Sequence, residues 1–295
     1  MDCFFTVTEI KRQDFPLLEY SKTALRNPIN ENLLDKPIVK EISSLSAAEL
    51  QQNMSVRVMA NDVTYRQNEA TRGFLETLYI SPEYKNRLVD RIQNMDADIK
   101  GLYDRYAGRL VCLDPNYPGT PYFSSAEGGF RVDQSADVNN ALGAGSIFFH
   151  ESAHMLDWLI GMENGVESIS SLYRLTDAVA ADLNDALTSI MRSENCTYEK
   201  AQQLLSAELQ THWDVSFCVS DVFGGLTANR VSGLWGHTAD YWANRDWNSI
   251  GKEAFAEITQ QRVCNPDAMA YTQKMMPRTC EVYQNIIANA ARYHK

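Results

Sequence analysis

The segment from Ile147 to Ile160 places two histidines and two acids in a run that is otherwise almost wholly apolar. Its spacing is helical, and a helix apolar on most sides has to be buried, with its polar residues lining a cleft. The first of those residues follow the pattern His150-Glu151-x-x-His154. Positions four apart share one helix face, so both imidazoles reach one metal ion. Glu151 projects beside them, where a carboxylate takes a proton from an attacking water and passes it to a leaving amine. This spacing makes His150 and His154 candidate zinc ligands and Glu151 a candidate general base. Asp157 lies on the same face. It is a candidate to hold a ligand histidine through its outer nitrogen, or else an ordinary solvated helix residue.

A catalytic zinc takes three protein ligands and keeps one position for water. His294 stands at the terminus and His212 beside Trp213 on an expected helix, so neither is attractive. His237 sits in the loop sequence Gly236-His237-Thr238. Glu253-Ala254-Phe255-Ala256-Glu257 puts two acids on one helix face inside an apolar stretch, where each needs a partner. Spacing alone does not choose between Glu253 and Glu257.

The rest of the chain reads as an α+β protein: a helical N-terminal region over residues 1–107, then a domain over 108–295 with a small sheet and several helices. Ser46-Ala47-Ala48-Glu49 is a capping-box pattern, and Ser81-Pro82-Glu83 is a second helix start. An apolar stripe follows at Tyr84, Leu88, Ile92, Met95, Ile99, Leu102 and Tyr106. Arg109–Leu113 is a short expected strand. Tyr122-Phe123-Ser124 and Phe130-Arg131-Val132 flank Gly128-Gly129 as a β-hairpin. Gly224-Gly225 and the segment Gly233–Gly236 read as loops, and a last helix runs from about Pro277 to Ala291.

The net charge of −11 repels phosphate backbones, so nucleic acid is not an expected partner. No stretch reaches the apolar length of a membrane span, and Met1-Asp2-Cys3-Phe4-Phe5 lacks the basic start of a secretory signal. Six cysteines without a C-x-x-C pair read as scattered buried thiols from a reducing compartment. The expectation is a soluble protein of the cytoplasm.

Several segments carry a more specific likeness. They are Gly119-Thr120, Tyr122-Phe123-Ser124, Glu127-Gly128-Gly129 and the run Phe149–Asp157. Further on come Ser220-Asp221, Gly224–Asn229, Gly236-His237, Tyr241-Trp242 and Glu253–Ala256. In this order, over about residues 108 to 290, they resemble the metallopeptidase-like module of phage minor head proteins and related bacterial proteins. That module is similar to the catalytic domain of the anthrax lethal-factor group of zinc peptidases, a gluzincin type. In that group the histidine motif is followed by a helix carrying E-x-x-A-E and by a P-[KR]-T segment opening the last helix. Glu253–Glu257 and Pro277-Arg278-Thr279 stand here in those places.

The resemblance implies a zincin-like fold, Zn2+ as cofactor, Glu253 as third ligand and Glu257 in the outer shell. It implies hydrolysis of a peptide bond in a protein substrate that pairs with a strand beside the active helix, for which the hairpin of Tyr122 to Val132, with Tyr122-Phe123-Ser124, is the candidate. The group carries a tyrosine shortly before the ligand glutamate that stabilises the transition state. Asp246 stands at that distance here, with Tyr241 and His237 further upstream as candidates for the role. Expected partners are a protein or peptide substrate and a phage or host protein, with a virion location if the chain is phage-encoded. The alternative is a phage-derived head-assembly protein whose zinc site serves the fold alone, although a purely structural site has no use for Glu151.

Overall fold

The computed structural model describes residues 70–292, with side chains to residue 290. These residues belong to one unit of the chain, Asp62–Lys295. The capping-box pattern at Ser46–Glu49, Cys3 and His294 lie outside the described residues.

After a helical stretch ending at residue 76, Ser81 starts α1 (Pro82–Asn94) by accepting from the backbone N–H of Tyr84. Pro82 fills the first turn, where its missing N–H costs nothing. The apolar stripe is split between two helices. Met95 turns extended and Asp96 heads α2 (Ala97–Tyr106), yet the stripe is buried on both sides of the break. These helices, assigned by sequence to the N-terminal region, pack on the elements that follow. The Tyr103 ring stands edge-on to Phe149 at 5.6 Å, and its hydroxyl pairs with Ser152 at 2.8 Å.

The strand expected over Arg109–Leu113 begins later. The Leu110 N–H still bonds the Tyr106 carbonyl, and the Arg109 side chain turns back to Glu163, so Ala107–Arg109 forms a 3-10 turn. The sheet consists of β1 (Cys112–Asp114), β2 (Tyr122–Ser124) and β3 (Gly129–Arg131) in the order β1-β3-β2. β2 and β3 form the expected antiparallel hairpin with Phe123 opposite Phe130, and β1 runs parallel to β3.

A short α3 (Gln134–Asp137) leads into α4 (Ser146–Glu163), the helix carrying the two histidines. Asp137 is fully buried and caps α4 from outside, accepting from the N–H groups of Ile147 at 2.8 Å and Phe148 at 3.0 Å. The Tyr84 hydroxyl donates to the same carboxylate, which ties α1 to the start of α4. α4 rests on the sheet through Phe148, edge-on to Phe130 at 5.3 Å.

The remaining helices are α5 (Ile169–Leu172), α6 (Leu175–Ser193), α7 (Tyr198–Thr211), α8 (Phe217–Thr227), α9 (Ala239–Ala243), α10 (Trp247–Cys264), α11 (Pro266–Met275) and α12 (Pro277–Arg292). α10 packs more extensively against α4 than any other described element does. Pro277-Arg278-Thr279 opens α12, where the buried Asp182 accepts from the N–H groups of Arg278 and Thr279.

Gly224 and Gly225 are not in a loop. Both lie inside α8, where a Cβ on Gly224 would come within 2.5 Å of Asn229 Oδ1 and one on Gly225 within 3.0 Å of the Trp242 ring. They answer a need for close approach, which composition reads as a turn signal. The chain is of the α+β class, mostly helical with a small sheet. No described helix is long and apolar enough to cross a membrane. The five described cysteines are free thiols.

Candidate metal centre

α4 and α10 each bring part of one cluster. His150 and His154 stand one turn apart on α4, their rings edge-on at 4.8 Å and their Nε2 atoms 3.2 Å apart. Opposite them α10 begins at Asp246, whose carboxylate accepts from the Ser249 N–H at 2.9 Å. Two turns later it presents Glu253. One carboxylate oxygen, Glu253 Oε2, lies 3.4 Å from His150 Nε2 and 3.2 Å from His154 Nε2. These three atoms form a nearly equilateral triangle. Glu253 is buried, and Oε2 makes no hydrogen bond of good geometry. Such an orphaned carboxylate oxygen is costly unless a cation or a proton answers it.

Glu257 lies one turn further along α10 and approaches the other nitrogen of the first imidazole, with Oε1 3.9 Å from His150 Nδ1. Burial raises its carboxyl to about 7, against the pull of His150. Glu253 is also buried, but the two histidines outweigh burial and hold its carboxyl well below the usual range. For His150 burial works downward, and the acids around it, Glu253 first, win and raise it to about 10. The local field is thus strongly negative and holds a proton on the imidazole where no other cation neutralises it.

Glu151 is buried, with His150, His154, Glu253 and His237 as its charged neighbours. Burial pushes its carboxyl above the usual range, opposed by His150 and His154. Asp157 is placed otherwise than on a ligand. Its carboxylate accepts from the Ser170 N–H and hydroxyl, each at 2.7 Å, and so caps α5. The start of that helix offers unsatisfied N–H groups closer than any imidazole nitrogen. Tyr122, Phe123 and Ser124 form the edge strand β2, which packs along α4. His212 ends α7 with its side chain half exposed and pairs with Glu208 at 3.2 Å.

The loop before α9 closes the other side. Tyr241 on α9 donates its hydroxyl to Glu253 Oε1 at 2.6 Å, which fixes the carboxylate with Oε2 toward the histidines. His237 stacks on the Tyr241 ring at 3.8 Å. Its Nδ1 sits 3.0 Å from Asp221 Oδ2, and its backbone N–H also bonds Asp221. Burial lowers the His237 imidazole, but Asp221 outweighs it and the net shift is upward. Gly236 just before it has φ +134 and lies against the Asp221 backbone, a conformation and a closeness that an L side chain resists.

Sequence reasoning gave Asp221 no role. Its signal was an acid within the apolar run Phe217–Phe223, where a buried carboxylate must find a partner. Asp246, which stands at the distance where the group carries its tyrosine, is engaged at the start of α10. Among the described residues, His150, His154 and Glu253 form one group able to hold a cation, and Asp221, His237 and Glu253 form another that shares Glu253. Comparison with protein-family models, curated proteins and solved structures finds no match to this chain.

Proposed function

We propose that the chain is a zinc-dependent endopeptidase of zincin-like fold, related to the phage minor head and lethal-factor type. The observation that carries this reading is the triangle of His150 Nε2, His154 Nε2 and Glu253 Oε2, with edges of 3.2, 3.2 and 3.4 Å. Ligands held about 2.0–2.1 Å from a tetrahedral zinc stand about 3.3 Å from one another. The donor set of two imidazoles and one carboxylate also suits zinc, with one position left open. Bound there, zinc supplies Lewis acidity that acidifies a water and polarises a peptide carbonyl.

The chain's own residues supply the rest. Glu151, beside the ligand histidines and with its carboxyl raised by burial, takes the proton of the attacking water and delivers it to the leaving nitrogen. Glu257 faces His150 Nδ1 and biases that ring's orientation and tautomer. Tyr241 orients Glu253 through its hydroxyl. His237 is a third exposed and has Nδ1 engaged by Asp221, so Nε2 is the nitrogen available to an oxyanion at the scissile carbonyl. Among the described residues β2 pairs with β3 alone, and its other edge is where an extended substrate would add as a strand. The substrate class is a protein, either a phage structural precursor or a host protein, met in the cytoplasm or the virion.

The test pairs elemental analysis with digestion of a peptide library by wild type and Glu151→Gln. About one zinc per chain in both, with cleavage by wild type alone, is the expected result. A chain that binds no zinc, or a zinc-loaded wild type that cuts nothing, overturns the reading.

A further inference from the structure

Between Phe148 and Ile160, α4 is buried at every position except His150, His154 and Trp158. Steps of four keep these three on one helix face, so the open line that carries the histidines continues onto an indole and then onto the exposed Met162 near the end of α4. Trp158 rests against Phe123 of β2, with ring centroids 5.9 Å apart. Successive side chains of a strand alternate between its faces, and β2 follows this rule. The Tyr122 hydroxyl is held by Arg131 and Glu127, and its ring packs edge-on to Tyr117, whereas Phe123 turns to α4. Both Phe123 and Trp158 lie against the core yet remain only partly buried. β2 pairs with β3 on one side and with no other described strand on the other. A peptide added along that free edge lays alternate side chains toward α4, over the same two rings.

We propose that Phe123 and Trp158 form an apolar subsite that takes a large apolar side chain of an extended peptide, one helical turn beyond His154. This rests on the peptidase reading and adds the substrate class to it. The four-residue step from His154 to Trp158 rises about 6 Å along the helix, and an extended chain advances about 3.3 Å per residue. The favoured apolar residue therefore falls about two positions from the scissile bond, on one side only. Apolar pockets of this kind discriminate by roughly tenfold to a hundredfold.

Two measurements test it. In the first, zinc-loaded wild type, Trp158→Lys and Phe123→Ser digest a decapeptide library, and the cut sites are read by mass spectrometry. Wild type enriches Phe, Leu, Met or Trp at one position near the bond by about tenfold or more. Each variant loses that enrichment while keeping its zinc and its preferences elsewhere. In the second, fluorescence anisotropy reads binding to the Glu151→Gln protein, with and without Trp158→Lys. The probes are labelled peptide pools differing only by Phe or Ser at one position. Tighter binding of a Phe pool, lost with Trp158→Lys, supports the subsite even where wild type cuts nothing, and in that case the peptidase reading alone falls. Cleavage with no apolar preference, or a preference unchanged in both variants, overturns the subsite and leaves the peptidase reading standing. Absence of both cleavage and pool discrimination overturns the two together.

Discussion

Removing the Glu253 carboxylate leaves two imidazoles facing a gap, with the Tyr241 hydroxyl beside it unpaired. Glu253→Ala is therefore expected to lose nearly all bound zinc, measured by elemental analysis after dialysis. Retention of one zinc per chain would take Glu253 out of the ligand set. Glu257→Ala removes a group that faces the His150 ring from 3.9 Å, so on the proposed reading zinc affinity should fall by roughly ten- to a hundredfold without being abolished. Competition with a chromogenic chelator reads that difference. Asp221→Asn keeps the size of the side chain but weakens its hold on the His237 ring. Zinc should stay while kcat falls by about tenfold or more, as expected when an oxyanion donor loses its support. Unchanged kcat on a peptide cut by wild type would assign Asp221 to the fold alone. At this scale the sequence showed which acids need partners and misjudged some of the partners. Asp157 shares a helix face with His150 and His154, yet its carboxylate goes to Ser170, because α5 turns its unsatisfied N–H groups toward it.

The same device recurs between elements. Asp137 caps α4, Asp157 caps α5 and Asp182 caps α12, each a buried aspartate borrowed from another part of the chain. Asp137→Ala would strand the N–H groups of Ile147 and Phe148 and the Tyr84 hydroxyl. The cost should be roughly 2–4 kcal/mol in urea denaturation, more than an exposed cap gives, because the groups left behind are buried. A loss below about 0.5 kcal/mol would show that α4 does not depend on this cap. Gly225→Ala tests the packing of α8. Alanine gains up to about 1 kcal/mol of helix propensity, but its Cβ meets the Trp242 ring at 3.0 Å. Overpacking of this kind costs about 1–3 kcal/mol, so net destabilisation is expected, with weaker zinc binding through the neighbouring Tyr241. A stabilised variant would show that Trp242 moves aside freely. Caps written next to their helices, such as Ser81 before Pro82, were legible. Caps brought from elsewhere were not, because an isolated aspartate carries no mark of the helix it will meet.

Across the whole molecule the candidate metal site joins α4 to α10, the helix that packs against it most extensively. A ligand that binds only the folded chain stabilises it by about 4 kcal/mol at a thousandfold excess over its Kd. Chelation should therefore lower Tm by on the order of 10 °C at this chain length. Glu253→Ala should melt at the same temperature with and without chelator, and an equal fall in wild type and variant would exclude zinc at this site as the cause. The sequence by itself determined whatever is local. Helical periodicity brings His150 and His154 onto one face and Glu253 and Glu257 onto another, and apolar flanks oblige both helices to be buried. It also determined the hairpin pairing Tyr122–Ser124 with the strand after Gly128, since a short polar turn between two strand-forming runs fixes its own closure. Only the tertiary structure decided which acid meets the histidines and what holds it there. Those contacts join α4, α8, α9 and α10 across long stretches of intervening chain. Their distances depend on how whole helices pack, a quantity that no local pattern of residues encodes.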